Sequence, residues 1–279
     1  MGKLALYLQY DFVKYAFVVG VLIAVCSALV GTIVVTQRLS FIGDGLSHVA
    51  FGATTVASVL GISGASVWLV LPVTMLFSLL LMKNTTSKKT PNDAALAMVS
   101  VGGLAFGYLF LNLFSKGSNL AGDVCGFLFG ATSILTLSIE DVVTCVVLSL
   151  VVVLSFVILY NKIYAVTFDE SFAKVSGTRV KLYKAAIAVL IDVVVVLAMN
   201  LVGALLISAL VILPVISAMR LCRSFKAVVL FSVVSSVLGA FLGILAAVIY
   251  GTPVGCTIVA IDTLAFGICY LASILRKRG

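Results

Sequence analysis

Arg38-Leu39-Ser40-Phe41-Ile42-Gly43-Asp44-Gly45-Leu46-Ser47-His48-Val49-Ala50-Phe51-Gly52 opens an apolar run that continues to Gly61. The stretch holds the single histidine of a 279-residue chain, with Asp44 four positions before it. On a helix, positions i and i+4 share a face, one turn or about 6 Å apart. A carboxylate and an imidazole so placed make half of a divalent-metal site. Both stand at the head of a membrane-length apolar segment, where desolvating them costs several kcal/mol unless something compensates. A metal ion passing through is such a compensation.

The rest of the chain has the same character. Its hydrophobic fraction is 63% and only 10% of its residues are charged; the mean hydropathy is +1.30. Soluble domains carry roughly a quarter charged residues, so this composition specifies a polytopic integral membrane protein. A helical span needs about 20 apolar residues, and the long continuous runs do not show the short alternating segments of a β-barrel. The expected fold is therefore all-α. The first run, Tyr15 to Thr36, is long for a signal-peptide core and lacks a clear cleavage site. A net charge of +8 reads as basic loops on one membrane face, not as a nucleic-acid footprint. The six cysteines form no CxxC pair; inside apolar runs they act as small hydrophobes, and a structural zinc site is unsupported.

Membrane-length runs fall near 15–36, 45–61, 65–82, 94–114, 139–160, 182–200, 202–220, 227–249 and 255–275. The stretch 182–220 is divided because it exceeds one crossing; undivided, it gives eight spans instead of nine. With the N-terminus outside and the C-terminus cytoplasmic, the inner loops 37–43, 83–92, 161–184, 220–226 and 276–279 carry 15 of the 18 Lys and Arg residues, a strong positive-inside bias. Tyr15, Trp68, Tyr108, Tyr160, Tyr183 and Tyr250 fall near span ends. Gly103-xxx-Gly107, Gly126-xxx-Gly130 and Gly239-xxx-Gly243 allow close helix approach, either within the chain or at a subunit interface. The outer segment 115–138 suggests a re-entrant or interfacial helix. The longest inner loop, 161–181, is expected to hold one short helix over Phe168–Gly177, capped by Asp169 or Ser171 with acids in its first turn and stopped by Gly177.

Soluble-style chemistry has no foothold. There is no GxxxxGK[ST], no HExxH and no GxGxxG after a strand, so the chain is not expected to be an enzyme. The remaining signals are intramembrane. Asp192 and Asp262 lie within apolar runs, each a functional-site hypothesis by default, against the plainer reading of a protonated or paired carboxyl facing the bundle interior. Gly203 and Pro214, in Val202 through Pro214, suggest a helix discontinuity beside a path, since such breaks are tolerated where backbone is buried or lines a cavity.

Four stretches carry a family resemblance. They are Arg38 through Gly52 (R-x-x-F-x-G-D-x-L-x-H-x-A), Phe168 through Gly177, Val202 through Pro214 with Arg220, and Thr252 through Val259. In this order and spacing the whole chain resembles the membrane permease of zinc/manganese/iron ABC importers. The resemblance implies a single permease domain over 1–279 and a homodimer around one path in the bacterial cytoplasmic membrane. It implies cytoplasmic ATP-binding subunits that hydrolyse ATP and an extracellular metal-binding lipoprotein. No cofactor would be bound permanently; zinc or manganese would be cargo. Asp44 and His48 would contribute to metal passage, with Asp192 a further candidate. Phe168, Asp169, Glu170, Phe172 and Gly177 would form the coupling helix on the ATPase. The chain departs from the family in having Gly251 where many members carry Asp, in lacking histidine-rich loops, and in placing Asp192 and Asp262 where small or hydroxyl residues are expected. The competing reading is a self-contained proton-coupled secondary transporter with those two carboxyls as a relay. It would need no docking helix. An intramembrane enzyme has no visible nucleophile–base pair.

Overall fold

The computed structural model describes residues 10–61, 66–84, 92–114, 126, 128, 130, 138–204 and 206–278. Among these residues every extended element is an α-helix and there is no strand. In order they are α1 (Asp11–Thr36), α2 (Ile42–Val59), α3 (Ser66–Asn84), α4 (Asn92–Phe114), α5 (Ile139–Phe168), α6 (Glu170–Val175), α7 (Val180–Val202), α8 (Ile207–Leu221), α9 (Phe225–Tyr250) and α10 (Val254–Arg278). The expected segment 115–138 lies outside the described residues apart from Gly126, Leu128, Gly130 and Ser138.

Each of the nine apolar runs coincides with one of the longer helices, but six of these, α1, α4, α5, α7, α9 and α10, are long and apolar enough to cross a bilayer. Shorter apolar segments, Val67–Leu80 and Ile207–Leu221, occupy α3 and α8. α2 falls short because Asp44, Ser47, His48, Thr54, Thr55 and Ser58 dilute it. It can carry them because α3, α4, α7 and α8 pack around it. Thr54, Thr55 and Ser58 return their hydroxyls to the helix's own carbonyls of Ala50, Gly52 and Thr54 at 2.7–3.0 Å, which removes the need for outside partners.

The core gathers on α7, whose residues from Leu190 to Met199 are all buried between α1, α2, α3, α5 and α8. Where polar groups face other helices they tie them. Ser236 Oγ of α9 donates to the Ala24 carbonyl of α1 at 3.0 Å, and Gln37 Nε2, just past α1, donates to Thr167 Oγ1 of α5 at 3.3 Å. Cys26 and Cys145 are buried, and both lie against Ser149. Among the described residues no group of three metal-binding side chains occurs.

Two glycine pairs serve packing within the chain. A Cβ on Gly103 of α4 would stand 2.8 Å from the His48 carbonyl oxygen and 2.9 Å from the Val49 nitrogen of α2. Gly107 meets Gly52 and the Phe51 ring. Gly239 and Gly243 of α9 likewise receive Asp262 and Ile258 of α10. Small residues let backbones approach, and in a bilayer that contact is a main source of helix association.

Two expectations are corrected. The segment after Tyr160 is not a loop: α5 continues to Phe168. Tyr160, Tyr164 and Phe168 stack in turn around the Phe225 ring, with centroids 5.3–5.9 Å apart, and such pairs stabilise beyond their buried area. The chain break near the third motif sits at Gly203 alone. Pro214 is buried inside α8, which runs unbroken to Leu221. Gly203 adopts φ 88 and ψ 153, which only glycine takes without strain, and a Cβ there would strike the backbone of Leu128 and Gly130.

The contact of α4 on α2 yields a test. Gly103→Ala meets backbone that cannot swing aside, so it should lower stability by about 1–3 kcal/mol, the usual result of overpacking. Gly102→Ala, with nothing within 4 Å of its new methyl, should leave stability unchanged. Thermal melting of the two purified variants in detergent compares them; equal melting temperatures would refute the close contact.

Candidate functional site

Asp44 lies in the first turn of α2 and His48 one turn further on. The helix N-terminus carries partial positive charge and favours a carboxylate. His48 Nε2 stands 3.4 Å from Asp44 Oδ1; the imidazole is almost fully buried, while about a third of the aspartate side chain (35%) remains accessible. Ser100 Oγ of α4 donates to the other carboxylate oxygen, Oδ2, at 3.0 Å. Ser47 Oγ turns back onto the Asp44 carbonyl at 2.8 Å. The i,i+4 reading thus places the two side chains together as expected.

Two buried polar atoms on or next to α2 have no hydrogen-bond partner among the described residues. One is His48 Nδ1 and the other is Ser208 Oγ of α8, both buried. Ser208 sits next to α2, its oxygen 3.8 Å from where a Gly43 Cβ would be. It follows directly on the Gly203 break, so the discontinuity delivers a hydroxyl to the α2 surface. A buried polar group without a partner is rare in a folded protein and costs about 1–3 kcal/mol. A carboxylate open on one side, an imidazole and the Ser100 hydroxyl form a donor set suited to a borderline divalent cation.

Ser100 and Ser208 were not singled out from the sequence. Nothing local marks them: each is one serine in an apolar run, and its partner residues lie on helices far away in the chain.

The two intramembrane carboxyls lie elsewhere. Asp192 of α7 is fully buried and takes a hydrogen bond on Oδ2 from the Ser78 hydroxyl of α3; its Oδ1 has no partner among the described residues. Asp262 is buried against Gly239, both oxygens likewise unpartnered. Each carboxyl is thus enclosed by a different neighbouring helix. Both are buried within the bundle.

At the bundle end where α1 and α5 finish, Asp169 breaks the helix and caps the next one. Its Oδ1 accepts from the Phe172 amide at 2.8 Å. Glu170 pairs with Lys184 of α7 at 2.6 Å, and Ala173 packs into a small core with Val166 and Val180. Gly177, at φ 77, ends α6: its amide reaches the Lys174 carbonyl and the Thr178 amide reaches Ala173, at 3.2 and 3.0 Å, the paired bonds of a Schellman stop. The anchored helix leaves Phe168, Phe172 and Val175 exposed at 55%, 65% and 89%.

Known proteins are similar to this chain over most of its length. A probable metal transport system membrane protein of Thermotoga maritima is 31% identical over 258 residues, covering 92% of this chain and 89% of its own. The manganese import system permease protein ScaB of Streptococcus parasanguinis is 28% identical over 242 residues, 84% of this chain and 82% of its own. The structure of PsaBC from Streptococcus pneumoniae in complex with Fab contains a chain of the same fold, with a TM-score of 0.85 at 22% identity over 96% of this chain and 94% of that one. The ABC 3 transport family matches residues 9–273, nearly the full length, and the chain belongs to that family.

Proposed function

We propose that this protein is the membrane-spanning permease of an ATP-driven importer that moves a divalent transition-metal ion, zinc or manganese, into the cell. The observation that carries this reading is the Asp44–His48 pair on α2, held by Ser100. The relatives named for metal and manganese transport support the same cargo class.

The chemistry follows from the donor set. Asp44 supplies a charged oxygen and His48 a neutral nitrogen. A lone pair on that nitrogen is needed for binding. Two strong ligands hold an ion loosely, whereas a closed four-ligand site would trap zinc as structural sites do. Loose binding suits release to the far side. Asp192, bonded to Ser78, enters this reading as an interior carboxyl rather than as a third ligand.

In this reading two copies of the chain enclose one path, an extracellular metal-binding lipoprotein delivers the ion, and cytoplasmic ATPase subunits supply the energy. Eight or nine segments of each copy lie in the membrane, with the N-terminus outside and the C-terminus in the cytoplasm. The exposed Phe168, Phe172 and Val175 are the docking edge for the ATPase. Gln37, at the turn that leads into α2, bonds Thr167 beside that edge and so links the docking helix to the metal-binding helix.

Three outcomes test these statements. His48→Ala and Asp44→Ala should each abolish uptake of radioactive zinc or manganese in proteoliposomes, while assembly and basal ATP hydrolysis persist. The double variant should be little worse than either single one, because both residues serve one site; near-normal uptake by either single variant would remove the pair from the path. Phe172→Asp should leave membrane expression intact but disconnect ATP hydrolysis from uptake, and normal co-purification of the ATPase with full uptake would contradict docking at α6. Ser100→Ala should weaken metal capture less than loss of Asp44 does, visible as a raised half-saturating metal concentration with unchanged maximal uptake.

A further inference from the structure

The last three helices, α8, α9 and α10, share a corner of uncompensated positive charge. From residue 207 to 279 the cations are Arg220, Arg223, Lys226, Arg276, Lys277 and Arg278, and the only acid is Asp262. The fold gathers the first four at one end of the bundle. α8 and α9 are joined by a short turn, closed where the Ser224 hydroxyl accepts from the Ala227 amide at 3.3 Å, so Arg220, Arg223 and Lys226 stand around it. α10 runs back along α9 in the register set by Gly239 against Asp262 and Gly243 against Ile258. That register brings Arg276 level with the first turn of α9. The Arg220 guanidinium lies over the Tyr270 ring, 5.0 Å from its centroid, and ties α8 to α10 there.

All four side chains are exposed, and none has a carboxylate partner among the described residues. Asp262 lies against Gly239, about 20 Å along the helices from Lys226 and Arg276, too far to pair with them. The acids at the neighbouring α5–α6 corner are taken: Asp169 caps the Phe172 amide and Glu170 pairs with Lys184. The other turn of the same helices, Tyr250 to Val254, carries no charge.

Depth decides which anion such a cluster meets. Tyr160 and Tyr164 of α5 pack on Phe225, and Tyr270 stands under Arg220; tyrosines gather at the membrane–water interface. Within one turn of the cations the surface is already that of a bilayer. Leu230, four residues after Lys226, is 69% exposed, and Leu275, beside Arg276, is 71% exposed. Cations that meet a soluble partner stand clear of the bilayer, whereas these are rooted among lipid-facing leucines. Long basic side chains at that depth extend their charged heads to the phosphates, and a cluster of them attracts anionic lipid.

We propose that Arg220, Arg223, Lys226 and Arg276 form a binding site for the headgroup phosphates of an anionic phospholipid, phosphatidylglycerol or cardiolipin. The bound lipid bridges the α8–α9 turn to the end of α10 and adds to the tie that Arg220 makes with Tyr270.

Native mass spectrometry of the full-length protein, titrated in detergent with phosphatidylglycerol, cardiolipin or phosphatidylethanolamine, tests this. The wild type should bind the two anionic lipids in preference to phosphatidylethanolamine. Arg223→Gln, Lys226→Gln and Arg276→Gln combined should weaken that binding about tenfold or more, since each cation near an anionic surface contributes roughly fivefold. Lys162→Gln, Arg179→Gln and Lys181→Gln combined, which remove as many exposed charges elsewhere, should not. Unchanged binding by the first variant, an equal loss in the second, or equal binding of all three lipids by the wild type overturns the proposal. A second measurement needs no variant. In phosphatidylethanolamine vesicles doped with a phosphatidylglycerol bearing a headgroup diazirine, photolabel should concentrate in peptides 219–230 and 270–276 over 162–184. Even labelling of these peptides overturns it. So does a first variant that keeps its anionic lipid but no longer co-purifies with the ATPase, which would give the cluster to a protein partner.

Discussion

The burden of holding a carboxylate and an imidazole inside a hydrocarbon slab governs this structure. Neither group is tolerated facing lipid, so the helix that carries them must be surrounded by others. α2 is accordingly rich in polar groups and one of the most enclosed of the helices. Its enclosure depends on glycine. Gly103 and Gly107 bring α4 to backbone contact, and that approach places the Ser100 hydroxyl one hydrogen bond from Asp44. The same contact that stabilises the bundle therefore completes the polar site.

The second dependency runs along the bundle to its basic end. The α5 helix extends past the expected span because a column of aromatic rings gives its last turns something to stack on. That extension carries Asp169 and α6 to a fixed position, pinned by Glu170–Lys184 and by Ala173. A short helix has little intrinsic stability, so the caps at both ends and this anchorage are what make it a defined surface. Among the described residues its aromatic edge is exposed. The bond between Gln37 and Thr167 joins the end of α5 to the turn before α2.

The sequence by itself determined whatever is written within a few residues. Continuous apolar runs placed the helices, the i,i+4 spacing of Asp44 and His48 put them on one face, and Asp169 and Gly177 marked both ends of α6. These signals are local because helix periodicity, capping and glycine conformation act over one or two turns. Tertiary structure alone decided the rest. Ser100 joins the site only because α4 packs on α2. Pro214 stays helical because α8 is held on both sides, so the break passes to Gly203, where φ is positive. Asp192 and Asp262 read alike as buried carboxyls, and only packing gave one a serine and the other a glycine cradle. Side-chain partners separated by 50 or more positions, such as Asp44 and Ser100, leave no mark in a single sequence, because what joins them is the mutual fit of helix surfaces in three dimensions.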